Sequence, residues 1–172
     1  MKVTRCIFLI GVIFCLLSSC ASEEASLPDC FEGGFECEIS FEWEGLSYRV
    51  EILREAGYGS DLTLSFLEPE AMKGITVSRR DGSESVRLFG NEYTEVGRLG
   101  WLALEDLFLV SGGVVDSRLE ECCGVSANRL TFRREDGVDG VIYLSGEEEP
   151  LRICGAVGGR YADATILKFR RK

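Results

Sequence analysis

Cysteine is the residue type with the most chemistry to offer in this chain. The 172 residues hold eight cysteines and no histidine. Cys6 and Cys15 lie in an apolar run near the amino terminus, and Cys20 ends that run. Cys30, Cys37, Cys122, Cys123 and Cys154 are spread through the rest. A four-cysteine zinc site needs close Cys-x-x-Cys pairs, which are absent, so no metal is expected. Five sulfurs beyond Cys20 is an odd number, so at least one thiol stays free or pairs between molecules. Cys30 with Cys37, and Cys154 with Cys122 or Cys123, are the possible disulfides in an oxidising compartment. The missing histidine removes the commonest general base and the Ser-His and Cys-His nucleophile pairs. Glu68 and Glu70 are a candidate carboxylate pair, but they flank Pro69 in a turn. No catalytic residue and no cofactor is expected, and the chain reads as a non-enzyme.

Cys20 has a more specific chemistry. Lys2 and Arg5 precede a mostly apolar stretch from Cys6 to Leu17, and Ser18-Ser19 lead into the cysteine. A basic start, a short apolar core and small residues at the cut form a secretory signal. The core is too short for a spanning helix, which takes about 20 apolar residues. Leu17-Ser18-Ser19-Cys20 resembles the bacterial lipobox, in which the cysteine sulfur is diacylated and becomes the first mature residue. Two acyl chains hold a protein stably at a membrane where one does not. Residues 1–19 are therefore read as signal peptide and residues 20–34 as lipidated cysteine and tether. Residues 35–172 are read as a single β-rich domain that binds a ligand or a partner. The expected place is the extracytoplasmic face of the cell membrane, or the outer membrane if the host has one.

The whole chain carries a formal charge of −10; removing residues 1–19 takes away two basic residues and no acid, leaving −12. So acidic a body is repelled by nucleic acid, which excludes it as a partner. The one basic cluster, Lys168 to Lys172 with Phe169 inside it, reads as the solvated end of a last strand.

The elements that must position these residues are mostly strands. Phe35, Cys37, Ile39, Phe41 and Trp43 alternate with Glu36, Glu38, Ser40 and Glu42, a period-two pattern with one acidic face. Leu46, Tyr48, Val50 and Ile52 repeat the alternation after Glu44-Gly45, which predicts a two-residue hairpin with Trp43 opposite Leu46 and Ile39 opposite Val50. Its apolar side chains should all share one face. Leu62, Leu64 and Phe66 form a third strand that ends at Pro69. Ile75 to Val77 and Val86 to Phe89 flank a turn at Asp81-Gly82. The stretch from Arg98 to Val110 is apolar nearly all round and reads as a buried helix of about three turns, with a buried strand over Leu107 to Val110 as the competing reading. Val114 to Val125 shows no clear pattern. Strands return at Leu130 and Phe132, Val141 to Leu144, Leu151 to Cys154 and Thr165 to Phe169, and Glu147 to Glu149 form an acidic turn.

This order of elements resembles small lipoproteins of the LolA/LolB-like class. The residues that carry the likeness are the lipobox, Phe66-Leu67-Glu68-Pro69-Glu70, Met72-Lys73-Gly74-Ile75, the central apolar helix and the late turn reaching Pro150-Leu151. The resemblance covers roughly residues 35–171 and rests on element order more than on a strict motif. It implies a curved antiparallel sheet, an incomplete β-barrel, with a capping apolar helix over a hydrophobic cavity. It also implies a lipid or lipoprotein acyl chain as partner. Two departures are visible: residues 21–34 are too short and broken for the helix that usually precedes the first strand, and the soluble carriers are not lipidated.

Two functional expectations follow. In the first, the sheet face and helix line a cavity for an apolar ligand, with Ile39, Phe41, Trp43, Val50, Ile52, Leu64, Phe66, Trp101, Leu104 and Phe108 as lining residues. In the second, helix and sheet pack with no cavity. The chain is then an envelope sensor or accessory module that meets a protein through the acidic face of Glu36, Glu38, Glu42 and Glu51.

Overall fold

A computed structural model describes residues 26–57, 59–94 and 100–172. Cys20 and the signal peptide expected over residues 1–19 lie outside the described residues. Among the described residues eleven strands form one antiparallel sheet. Strand β1 (Phe35–Trp43) and β2 (Leu46–Arg54) make the hairpin read from the alternation, with Trp43 opposite Leu46, Phe41 opposite Tyr48 and Ile39 opposite Val50. Glu44 and Gly45 turn it with positive φ at both positions, 51° and 79°, the backbone that matches the strands' twist. One detail differs: Leu46, in the pair next to the turn, is 55 % exposed.

Strand β3 (Leu62–Glu68) is followed by a single 3₁₀ turn, Glu70–Met72, and then by β4 (Thr76–Arg80), β5 (Ser83–Leu88) and the short β6 (Asn91–Thr94). The second half holds β7 (Gly113–Cys122), β8 (Val125–Arg133), β9 (Asp139–Leu144), β10 (Pro150–Val157) and β11 (Arg160–Arg171). The patternless stretch from Val114 to Val125 is thus β7 and its turn into β8. Its side chains are nearly all exposed, so no apolar alternation marks them. The strand order is β6-β5-β4-β3-β2-β1-β11-β10-β9-β8-β7. Two meanders are joined where the first strand pairs with the last.

That central seam answers the chain's charge pattern. Pairing β1 with β11 places Glu36 beside Arg170 and Glu38 beside Lys168. Lys168 Nζ donates to Glu38 at 2.6 Å, Arg49 binds the same carboxylate, and Arg170 pairs with Glu36. The basic cluster is therefore not merely a solvated strand end; it neutralises half of the acidic face. Glu38 is 5 % exposed, while Glu42 and Glu51 remain in solvent.

The link between the meanders contains the helix expected over Arg98 to Val110, formed as a 3₁₀ helix over Gly100–Phe108. With three residues per turn, side chains stack in rows at i and i+3. Trp101, Leu104 and Leu107 form one row and Leu102, Glu105 and Phe108 a second. All of these but Trp101 are buried. Gly100, Ala103 and Asp106 form the third, outward row. Aromatic rings hold both ends: Trp101 lies 5.0 Å from Tyr48 and from Phe66, and Phe108 lies 5.2 Å from Phe31 and 5.1 Å from Phe35, centre to centre. The competing strand over Leu107 to Val110 does not form.

The helix touches β4 on one side and β10 on the other. In the strand order these are five steps apart, about 24 Å in a flat sheet at the usual strand spacing. A helix about 10 Å across can meet both only if the sheet curls around it. Strands β6 and β7 do not pair, so the curl stays open. The result is a curved antiparallel sheet with a helix on its concave face, the architecture implied by the LolA/LolB-like resemblance.

Candidate ligand-binding groove

The concave side holds two distinct regions. Between sheet and helix the packing is continuous: Ile39, Val50, Ile52, Leu64, Phe66 and Phe108 are each at most 2 % exposed, and Phe41 4 %. These seven expected lining residues form the core. On the outer side of the helix runs a groove of about 680 Å³. Trp43 and Trp101 line it, and Leu104, itself 2 % exposed and part of the core, borders it. The outward row of Gly100, Ala103 and Asp106 is part of its floor, and Val157 and Gly158 form one wall. The structure thus separates the expected lining set, because the helix fills the space between the two curled arms of the sheet.

Polar groups sit where the groove ends. Arg79 on β4 donates to the Glu105 carboxylate at 2.6 Å and to the Ser60 carbonyl at 2.9 and 3.1 Å. The Gly59 amide donates to the other Glu105 oxygen at 3.0 Å. Glu105 is 3 % exposed, so this pair fixes the helix to the sheet in a largely dry site. At the other end Arg160 pairs with Glu44 and lies 5.8 Å from the centre of the Trp43 ring. Arg79, Arg160, Ala103 and Val157 were not singled out from sequence. The one signal available was Glu105, a carboxylate inside an otherwise apolar run, which needs a buried partner.

Below the groove, Arg54 is 3 % exposed. Its guanidinium lies 4.6 Å from the centre of the Phe35 ring and donates to the Phe31 carbonyl. Burial lowers its pKa, and the charges of Glu105 and Cys37 work against that shift. The contacts pin residues 31–33 beneath the first strand.

All five cysteines beyond Cys20 are free thiols in the structure, four of them buried and Cys123 exposed. Burial pushes the Cys30 and Cys122 thiols up to about 11 and raises Cys37 and Cys154 as well. None of the five lines the groove. The two arginines of the groove are already ion-paired and Glu84 and Asp106 also line it, so the arrangement offers an apolar bed interrupted by acidic side chains.

The described residues form an open antiparallel sheet wrapped around one buried helix. No family model matches the sequence, and no curated protein matches it. Among solved structures the chain is similar to lipoprotein LppX of Mycobacterium tuberculosis, with TM-score 0.44, 16% identity and coverage of 82% of this chain and 89% of that one. It is also similar to a LolA superfamily protein from Nitrosomonas europaea, with TM-score 0.42, 11% identity and coverage of 82% and 87%. A putative outer membrane lipoprotein-sorting protein domain from Vibrio parahaemolyticus gives TM-score 0.40, 12% identity and coverage of 81% and 86%.

Proposed function

We propose that this protein is a membrane-anchored extracytoplasmic lipoprotein that binds an apolar ligand, an acyl chain or a lipid, and catalyses no reaction. The observation that carries the reading is the groove of about 680 Å³ along the helix, lined by both of the chain's tryptophans. That volume falls inside the range of about 300 to 1,000 Å³ usual for small-molecule sites. Aromatic and aliphatic side chains form much of the bed, and because its two arginines are already paired with Glu105 and Glu44, the apolar part of the ligand carries the fit. The anchor is Cys20, diacylated on its sulfur and made the first mature residue by removal of residues 1–19. The tether to the first described residues is short, so the domain works close to the membrane surface.

Residues 21–172, secreted from a bacterial host and purified without detergent, provide the test. Native mass spectrometry should show an extra mass that extracts as lipid. Fatty acid offered to stripped protein should change tryptophan emission saturably, since Trp43 and Trp101 both lie on the site. A clean apo mass with no saturable change when lipid is offered would sink the reading. For the anchor, Cys20→Ser in the full chain should move the protein from the membrane fraction to the soluble one and abolish palmitate labelling.

A further inference from the structure

The turn between β7 and β8 is made of Cys123 and Gly124, with φ of 54° and 79°. Two positive φ values in a two-residue hairpin loop are the type I′ geometry, normally occupied by Asn-Gly or Asp-Gly. Cysteine is an unusual choice at the first position, where a side chain other than Asn, Asp or Gly carries a steric cost of about 1–2 kcal/mol. The choice has a consequence. Cys122, which closes the hairpin opposite Val125, and Cys123 place their sulfurs 3.6 Å apart. The two thiols are unequal. Cys123 is exposed at the tip, whereas Cys122 is 4 % exposed and packs with Ala127, Tyr143 and Cys154 on the convex side of the sheet.

We propose that Cys122 and Cys123 form a redox-active dithiol that exchanges with external disulfides and closes a reversible vicinal disulfide in the hairpin turn. Cys123 enters first, because among the described residues it is the one exposed thiol. Its thiolate attacks one sulfur of the external disulfide, forms a mixed disulfide and releases a thiolate. That thiolate takes the proton of Cys122. The Cys122 sulfur then attacks Cys123 Sγ and expels the second external thiolate, which takes from water the proton Cys123 lost on ionising. Two protein thiols and one external disulfide become one protein disulfide and two external thiols, and the external disulfide takes up the two electrons. Adjacent α-carbons are 3.8 Å apart, closer than the 4.4 to 6.8 Å usual across a disulfide, so the closed form is strained and easily reduced. A bond of that kind cycles, where a structural one stays shut. The site lies away from the groove and does not depend on ligand binding there.

Cys154 offers a competing pairing, and peptide mapping separates the two. The full chain, expressed with its own leader, is equilibrated in glutathione buffers of graded ratio, alkylated and digested with trypsin. Peptide 119–129 carries both Cys122 and Cys123, and peptide 153–160 carries Cys154. The expected result is a peptide 119–129 lighter by two hydrogen atoms, unalkylated, whose fraction follows the glutathione ratio reversibly. Cys154→Ser should leave that titration in place, and Cys123→Ser, an exposed change that spares the core, should abolish it. A cross-link between peptides 119–129 and 153–160, or two alkylated thiols at every ratio, would overturn the proposal.

Discussion

Replacing Arg79 by Ala tests whether the ion pair at the end of the groove holds the helix in the sheet. The Glu105 carboxylate is 3 % exposed and has two partners: the Gly59 amide on one oxygen and the Arg79 guanidinium on the other. Without Arg79 one oxygen loses its partner and the negative charge keeps only the Gly59 amide and the more distant Arg54 charge. Removing one partner of a buried pair costs about 3–5 kcal/mol. The Arg79 side chain is 18% exposed, so water can reach part of the vacated space and the lower end, about 3 kcal/mol, applies. For a domain near 150 residues that is a fall of roughly 6–12 °C in Tm. Urea unfolding at pH 7, followed by circular dichroism, would measure it at unchanged m-value. The double variant Arg79→Met with Glu105→Leu removes both charges at similar volume and should recover most of the loss. If Arg79→Ala costs under about 1 kcal/mol, as an exposed pair does, the pair is incidental and the helix is held by packing alone.

Three further outcomes are expected. Ala103→Phe points a ring from the outward row into the groove, so fatty-acid uptake should be lost while stability stays within about 0.5 kcal/mol, as at surface sites; retained uptake in a fluorescence titration would place the ligand elsewhere. Gly140→Ala would put a methyl group 2.3 Å from the ring of Phe132, its cross-strand partner, which is 2 % exposed; such overpacking should cost about 1–3 kcal/mol in urea unfolding, and a Phe132→Leu background should relieve part of it. Hydrogen bonding to Lys168, then to Arg49, lowers the pKa of Glu38, and the Arg152 pair does the same for Asp163. A depressed folded pKa gives stability that is present above the unfolded carboxylate value, about 4, and lost as pH falls through the folded one. Unfolding free energy should therefore drop below about pH 4, and Glu38→Gln should flatten that slope; an unchanged slope would refute the role of Glu38.

The strands were legible wherever one face is buried. Phe35 to Ile52 could be paired residue by residue, because an error of one position would send Ile39 and Val50 to solvent. Strand β7 has no buried face over most of its length, so alternation gave no sign of it. The four residues of β6 are all exposed and were missed for the same reason. The helix was legible as buried but not as 3₁₀. A run that is apolar nearly all round has little angular signal, and the informative positions are the few that break it. Ala103 and Asp106, three apart and both half-exposed, mark the outward row, while Glu105 turns inward to Arg79. Read at period three, those residues separate core from groove. Eight of the ten expected lining positions, Leu104 and Phe108 among them, are core because the apolar face of the sheet packs directly against the inner rows of the helix.

Charge placement follows the same logic over a longer span. Glu36 and Glu38 lie 134 and 130 residues from Arg170 and Lys168, and each run alone looks like a solvated face. They meet because β11 fits beside β1: Ala162, Ala164 and Ile166 are buried on the same side as Ile39 and Phe41, and that register carries the opposite charges into contact on the other side. Apolar burial sets the alignment here, since an exposed ion pair contributes at most about 1 kcal/mol while each fully buried large side chain contributes about 1.5–3. The ion pairs add discrimination: a two-residue slip would keep the apolar face inward but set Glu38 beside Arg170 and leave Lys168 with Ser40. Reversing one pair, Glu36→Lys with Arg170→Glu, should therefore fold with little loss, whereas Glu36→Lys alone brings two positive charges together and should destabilise measurably in urea. If the single change proves as stable as the double, the charges have no part in setting the seam, and burial alone selects it.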